Sequence, residues 1–375
     1  MTPSSKIVQP DIASAIKYSA IRFAAIVYDS SMLGTKIFSA PLLRLILLLF
    51  LTGCGYGYSP VQFAGQTMGT TYSVVLIPES QGGRQVNPAA LQAEVDRELG
   101  RINKLMSTYD ASSQLSQLNA HPVGKFFVVD PDLYAVLQAS QELARLSNGA
   151  MDVTVGSLVN LWGFGPDYAD NKPPSDSEIS LVRENMGYQA LDIDIEHYRV
   201  RRTKAFHIDL SSIAKGFAVD QIRDLLRRRG HDDFLVEIGG ELFASGRINS
   251  ARQWQVAIEA PVVDSRSIQT TLPLQDMAMA TSGDYRNYFD WQGKRYSHTI
   301  DPRSGYPVEH QLVSVTVIAA SAMDADGWAT AISVLGLKQG MQLANAQQLA
   351  VLAIIETDSG LETIRSEKLA AYAGY

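Results

Sequence analysis

Cysteine is almost absent: the 375-residue chain has one, Cys54. A single thiol excludes an internal disulfide framework and any cysteine-rich zinc or iron–sulfur centre. Positive charge is also short. The 32 Lys and Arg stand against 39 Asp and Glu, a net charge of -7, whereas a nucleic-acid binder needs a basic face to meet phosphates. Glycine and proline are near average usage, so collagen-like and low-complexity chains are excluded. Several short signatures are missing. No G-x-x-x-x-G-K-[ST] forms a P-loop, no G-x-G-x-x-G opens a βαβ unit, and no G-x-S-x-G elbow offers a hydrolase serine. What is present is a globular composition, 46% hydrophobic and 19% charged, with no multi-span membrane signal.

The charge is unevenly spread. Residues 1–53 hold five basic residues (Lys6, Lys17, Arg22, Lys36, Arg44) against Asp11 and Asp29, so the excess of acid lies in the remainder. The run Pro41 to Leu51 is apolar apart from Arg44. It is too short to cross a hydrocarbon core of about 30 Å, which takes about 20 residues. With Lys36 and Arg44 on its amino side it has the form of a signal-peptide h-region. It ends in Leu51-Thr52-Gly53-Cys54, which resembles a bacterial lipobox, the alternative being an ordinary buried cysteine after an apolar helix. Residues 1–53 are therefore read as a signal-peptide region, and a start at Met32 would give it a more usual length. Residues 54–60 are read as a lipidated N-terminus with a short linker, and 61–375 as the functional domain. A two- or three-chain lipid anchor holds a protein firmly on a membrane. The expected location is the bacterial cell envelope, anchored through Cys54, facing the periplasm, at the inner membrane.

In the domain, Leu91, Val95, Leu99, Ile102 and Met106 recur at helical spacing behind Pro88, and Leu133, Leu137, Leu143 and Leu146 repeat the pattern behind Pro131. Further helical patterns cover 213–229 and 323–335. Strand-like runs fall at 70–77, 191–195, 234–238, 254–258, 312–319 and 350–355. Several late strands follow one another without an intervening helix. This predicts an α+β fold, mixed or antiparallel sheets covered by helices, as one large domain or two intimately packed lobes.

Five segments depart from a plain core-and-surface pattern. Met68-Gly69-Thr70-Thr71-Tyr72 sets a glycine at a strand entrance, which in isolation reads as a bulge or close backbone approach. Asn148-Gly149-Ala150-Met151-Asp152, leading to Trp162-Gly163-Phe164, offers small residues and aromatics to a flat ligand, or equally a helix C-cap followed by core. Asp209-Leu210-Ser211-Ser212-Ile213-Ala214-Lys215-Gly216 joins a strand to a helix start. There the serines serve as caps and free N–H groups suit phosphate, with Lys215 adding charge. Thr281-Ser282-Gly283-Asp284-Tyr285-Arg286 precedes Ser297-His298-Thr299-Ile300-Asp301, whose histidine suits proton transfer or a structural role. Asp324-Ala325-Asp326-Gly327-Trp328-Ala329-Thr330 puts Asp326 and Thr330 on one helix face, an oxygen pair fit for Mg²⁺, with Asp324 as the helix cap.

In this order, from about Gln66 to Ile355, the segments resemble the FAD:protein FMN transferase (ApbE) family. The resemblance implies a Mg²⁺-dependent enzyme that cleaves FAD and transfers FMN to a Thr or Ser hydroxyl of a target protein. It implies FAD contacts from Met68, Tyr109, Ala150, Met151, Asp152, Asp209, Lys215 and Ile300. It implies metal ligation by Ser212 (through its carbonyl), Asp326 and Thr330, and activation of the acceptor by His298. Many relatives have Gly-Gly where this chain has Ser211-Ser212. The implied acceptors are flavin-carrying subunits of membrane redox complexes, of the Na⁺-pumping NADH:quinone reductase or Rnf type. A Mg²⁺-dependent FAD pyrophosphatase and a non-catalytic FAD-binding lipoprotein are the alternative readings. Labelled palmitate is expected to enter the protein and not its Cys54→Ala variant; equal labelling of both would end the lipoprotein reading.

Overall fold

The computed structural model describes residues 59–78, 86–166, 172–261, 267–283 and 287–372. The leader with Cys54, and Asp284, Tyr285 and Arg286 of the fourth segment, lie outside the described residues. In chain order the elements are β1 (Val61–Thr67), β2 (Thr70–Leu76), α1 (Pro88–Met106), α2 (Gln114–Ala120), β3 (Phe127–Val128), α3 (Pro131–Leu146) and α4 (Gly156–Leu161). Then come α5 (Asp176–Glu184), β4 (Leu191–Asp194), β5 (Arg199–Arg202), α6 (Ala214–Arg228), β6 (Phe234–Ile238), β7 (Glu241–Ser245), β8 (Trp254–Glu259) and β9 (Ile268–Leu274). The chain continues through β10 (Met277–Gly283), β11 (Tyr288–Trp291), β12 (Lys294–Ser297), β13 (Leu312–Ala319), α7 (Ala322–Ala346), β14 (Ala350–Thr357), β15 (Gly360–Arg365) and α8 (Glu367–Tyr372).

Eight strands form one sheet in the order β1-β2-β6-β7-β10-β13-β14-β15, and every neighbouring pair in it is antiparallel. The expected α+β class holds, in its antiparallel form. The described residues fall in one compact unit. The sheet is covered on both faces, which explains why Ala350–Ile355 reads as an unbroken apolar run. Val351, Ala353 and Ile355 pack with the helices on one face, while Ala350, Leu352 and Ile354 pack with Trp254, Val256, Leu272 and Leu369 on the other.

Helices α1 and α3 begin and end where the periodicity predicts, each with a proline in its first turn. Two expected caps are corrected. Neither Ser211 nor Ser212 caps α6, whose N-cap residue is Ile213 with no side-chain bond; the Ser211 N–H instead donates to Asp209 Oδ1 at 2.7 Å. Helix α7 is capped by Ser321, and Asp324 lies inside its first turn, its N–H donating to Ser321 Oγ. The helical stretch predicted over 323–335 ends where the pattern places it, and a second helical stretch follows. Gly336 is non-helical, with φ of 72°, and breaks α7 where His310 packs against it and meets the Ser333 carbonyl at 2.7 Å.

The close crossing of α6 and α7 is fixed by a few buried groups. Asp220 of α6, 6% exposed, accepts from Ser321 Oγ (2.8 Å) and from the N–H groups of Ala322 and Met323 (3.0 Å each). These are free donors of the α7 N-terminus, so one buried carboxylate ties the two helices together. Gly216 lets them approach. A Cβ at that position would lie 2.6 Å from the Ala322 carbonyl carbon and 2.8 Å from Met323 Cα, both backbone atoms that cannot yield cheaply. Gly216→Ala is therefore expected to destabilise the fold by about 1–3 kcal/mol, measured by urea unfolding; an unchanged midpoint would show that the crossing is loose.

Candidate active site

Two hairpin turns at one end of the sheet form the floor of the site. Met68-Gly69 joins β1 to β2, and Gly239-Gly240 joins β6 to β7 with φ of 59° and 105°. Two consecutive positive-φ residues match the tight turn that antiparallel strand twist requires, and glycine adopts it without steric cost. The turns abut: the Gly239 N–H donates to the Thr71 carbonyl at 3.0 Å, and a Cβ on Gly239 would meet Thr70 at 2.8 Å and the Lys215 stem at 3.4 Å.

Lys215, in the first turn of α6, projects over this floor. Its Nζ lies 3.4 Å from Glu241 Oε1, 3.9 Å from Asp326 Oδ2 and 3.3 Å from the Ser211 carbonyl, to which it donates. Burial opposes its charge, but Asp326 and Glu241 outweigh that cost and hold its pKa above the ordinary lysine value. Burial pushes the Glu241 carboxyl up to about 8, with Lys215 pulling it down and the Asp326 charge adding to the rise. Asp326, 3% exposed, is raised by burial in the same way.

The Gly216 N–H donates to Asp326 Oδ2 at 3.0 Å, across 110 residues of sequence. In a regular helix that N–H would bond the carbonyl of Ser212. The helix starts two residues after Ser212, and the Ser212 carbonyl is left without that partner. Thr330, one turn beyond Asp326, has its hydroxyl 3.2 Å from Ser282 Oγ at the end of β10. The three expected metal-binding residues are thus carried by one helix crossing. A carboxylate, a hydroxyl and a carbonyl are all hard oxygen donors, the set Mg²⁺ prefers when waters and phosphate complete its shell. The chemistry of the donors therefore fits the ion. Among the described residues no group of three or more His, Cys, Asp or Glu is placed to hold a metal ion.

The remaining expected residues lie on segments joined to one another by backbone and side-chain bonds. The Asp209 N–H donates to the Val153 carbonyl at 2.8 Å, joining the third segment to the second. Tyr109 is 71% exposed, and its hydroxyl is raised by partial burial and then by the Asp209 charge. Ala150 and Met151 are buried, 1% exposed each, so their side chains belong to the interior. Asp152 holds its own loop: Oδ1 accepts from the Thr154 N–H (2.9 Å) and hydroxyl (2.7 Å), and Oδ2 from the Tyr188 N–H (2.8 Å). Trp162 ties this loop to the 301–305 turn by donating Nε1–H to the Gly305 carbonyl at 2.9 Å. Ile300 is buried and bridges Pro307.

His298 is half-buried beside Phe164, ring centroids 6.3 Å apart. Its Nδ1 lies 3.0 Å from the Asn287 carbonyl. A carbonyl only accepts, so Nδ1 carries the hydrogen and Nε2 keeps a lone pair able to take a proton. Asp301, three residues on, is not its partner, because that carboxylate is held by Arg303 at 2.8 and 2.9 Å.

The sequence matches the family described as ApbE family over residues 68–355. The chain belongs to the ApbE family. Among similar curated proteins, one named FAD:protein FMN transferase from Vibrio cholerae serotype O1 is 42% identical over 325 residues, covering 87% of this chain and 96% of that protein. Another of the same name from Haemophilus influenzae is 37% identical over 327 residues, covering 86% and 94%. The solved structure of "Flavin Transferase ApbE from Vibrio cholerae" superposes with a TM-score of 0.76 at 40% identity, over 84% of this chain and 99% of that one. The apo form of a Pseudomonas stutzeri flavinyl transferase ApbE gives 0.77 at 39%, over 84% and 98%.

In this ApbE-family chain, sequence reasoning misses Glu241 and Asp220. Glu241 does leave a signal: a charged residue directly after Gly-Gly, opening a strand that is otherwise apolar and buried throughout. Asp220 looks like any polar residue on an amphipathic helix, and nothing local distinguishes it. Burial of His298, reinforced by the Lys215 charge and opposed by the Asn287 bond, lowers its pKa from the ordinary 6.5. The neutral ring is therefore retained as pH falls through 6.5 and is lost only below it. An NMR titration of His298 should give a midpoint under 6.5; a midpoint at or above that value would contradict the placement.

Proposed function

We propose that this protein transfers the FMN moiety of FAD to a threonine or serine hydroxyl of an acceptor protein, releasing AMP. Membership of the ApbE family and the names of its relatives support this reading. The structural observation that supports it is the bond from the Gly216 N–H to Asp326, which joins the start of α6 just after Ser212 to the α7 face that also carries Thr330, with Lys215 3.9 Å from the same carboxylate.

The reaction needs a weak nucleophile activated and a departing phosphate tolerated. The acceptor oxygen forms a bond to the FMN phosphorus as the bond from that phosphorus to the AMP oxygen breaks. In the proposed roles, His298 Nε2 takes the hydroxyl proton, and the Nδ1–H bond to Asn287 holds the ring in the tautomer that can do so. Lys215 meets the diphosphate, and Met68, Tyr109, Asp209 and the 150–152 and 300 backbones border the flavin and adenosine. Ser212, Asp326 and Thr330 would hold Mg²⁺, which supplies neutralisation of the charge developing on the diphosphate.

The acceptors fitting this chemistry are flavin-carrying subunits of membrane redox complexes, of the Na⁺-pumping NADH:quinone reductase or Rnf type. A lipid on Cys54 would keep the enzyme at the inner membrane, facing the periplasm, beside such targets. No helix among the described residues is long and apolar enough to cross a membrane.

Incubation with FAD and a candidate acceptor, with and without Mg²⁺, is expected to raise the acceptor's intact mass by one FMN only when Mg²⁺ is present. Release of FMN and AMP with no mass gain would identify a pyrophosphatase, and unchanged FAD a binding protein. His298→Ala should slow transfer by roughly 10²–10⁴-fold while FAD still binds. Asp326→Ala should lower the Mg²⁺-dependent rate. Parental rates in both variants would refute the site.

A further inference from the structure

Glu241 has no task in the proposed transfer, yet it is among the most buried charged residues of the chain at 3% exposure. Only one of its oxygens is used: Oε1 faces Lys215 Nζ at 3.4 Å, and Oε2 is buried with no hydrogen-bond partner. A buried carboxylate oxygen without a partner is costly and calls for a reason.

The ammonium of Lys215 stands between two carboxylates, Glu241 and Asp326. In the proposed function Asp326 is a metal ligand and Lys215 a phosphate contact, so lysine and cation compete for the same carboxylate. Two like charges cannot share Asp326 without repulsion. The Lys215 stem is held against Gly239, and Glu241 is anchored in β7 directly after the Gly239-Gly240 turn. The head group therefore has a second acceptor within reach, one with an oxygen to spare.

We propose that Glu241 is a positioning residue that receives the Lys215 ammonium when a divalent cation takes Asp326. This rests on the proposed FMN transfer and adds to it a means of keeping a charged lysine beside the diphosphate without cost to the metal site. The lysine and the arriving cation both favour the ionised form of Glu241. Without Glu241, Asp326 is the carboxylate left within 4 Å of the lysine, and that pairing obstructs the cation.

The test is FAD binding to the intact protein, followed by flavin fluorescence anisotropy in EDTA and across a Mg²⁺ series. Glu241→Gln should need about tenfold more Mg²⁺ to reach half of its effect. In EDTA its FAD affinity should be unchanged, because no cation is there to compete with the lysine for Asp326. Adding Lys215→Gln to that variant removes the competitor, so the Mg²⁺ requirement should return toward the parental value. If Glu241→Gln alone fails to fold, the double variant still removes the ammonium together with its acceptor and leaves Asp326 its bond from the Gly216 N–H. Equal losses of Mg²⁺ response and of FAD affinity in EDTA would make Glu241 a support for the site's shape and overturn the proposal. So would an unchanged Mg²⁺ requirement. If the parental protein binds FAD without regard to Mg²⁺, the Glu241 role falls alone; if it binds no FAD, the proposed transfer itself falls.

Discussion

The crossing of α6 and α7 is the constraint on which the rest of the site depends. Two buried carboxylates hold it, and they work in opposite directions along the chain. Asp220 reaches from α6 to satisfy the free N–H groups at the start of α7, while Asp326 reaches from α7 to take the N–H of Gly216. Each bond satisfies a donor that a helix end leaves over, so the crossing is specific in register as well as close. The same exchange frees the Ser212 carbonyl. A ligand group is thus produced by backbone geometry and not by a side chain, and the identity of residue 212 matters less than the bond that Gly216 makes elsewhere.

Around this crossing the site divides by chemistry. Toward α7 it is made of oxygen atoms and one ammonium, with two acidic groups whose charges burial disfavours and Lys215 only partly restores. Toward β11 and β12 it is aromatic: Phe289 stacks on Tyr296 at 5.2 Å, Tyr296 meets Trp162 at 5.6 Å, and Phe164 faces both Phe289 and His298.

Much of this is legible in the chain alone, for identifiable reasons. Helices α1 and α3 declare themselves because apolar spacing, proline and cap residues all agree. The strand 350–355 is visible as an apolar run, but its cause, burial on both faces, needs the sheet order. In the short pairs, β4 and β8 are legible, β8 because Trp254, Val256 and Ile258 alternate with outward residues, while their partners and the β11–β12 pair are not, since charged and polar residues blur the alternation there. Segments holding Asp209, Lys215, His298 and Asp326 stand out because polar residues interrupt apolar elements there. Hidden from the sequence is who pairs with whom. Asp301 lies three residues from His298 and yet serves Arg303, whereas His298 is oriented by a backbone carbonyl. Asp220 and Glu241 act at a distance of many residues, and local pattern has no access to that.

The break in α7 has a mechanical effect. A continuous rod of 25 residues would act as a lever, passing any tilt at its rear to the carboxylate near its front. At Gly336 the backbone leaves helical geometry, so the rear portion can follow the slope of β14 while the front portion stays clamped by Asp220. The rear portion packs back on the front, Gly340 lying where a Cβ would meet the Ile332 carbonyl oxygen at 2.9 Å, so residue 340 must stay small for the two portions to fit.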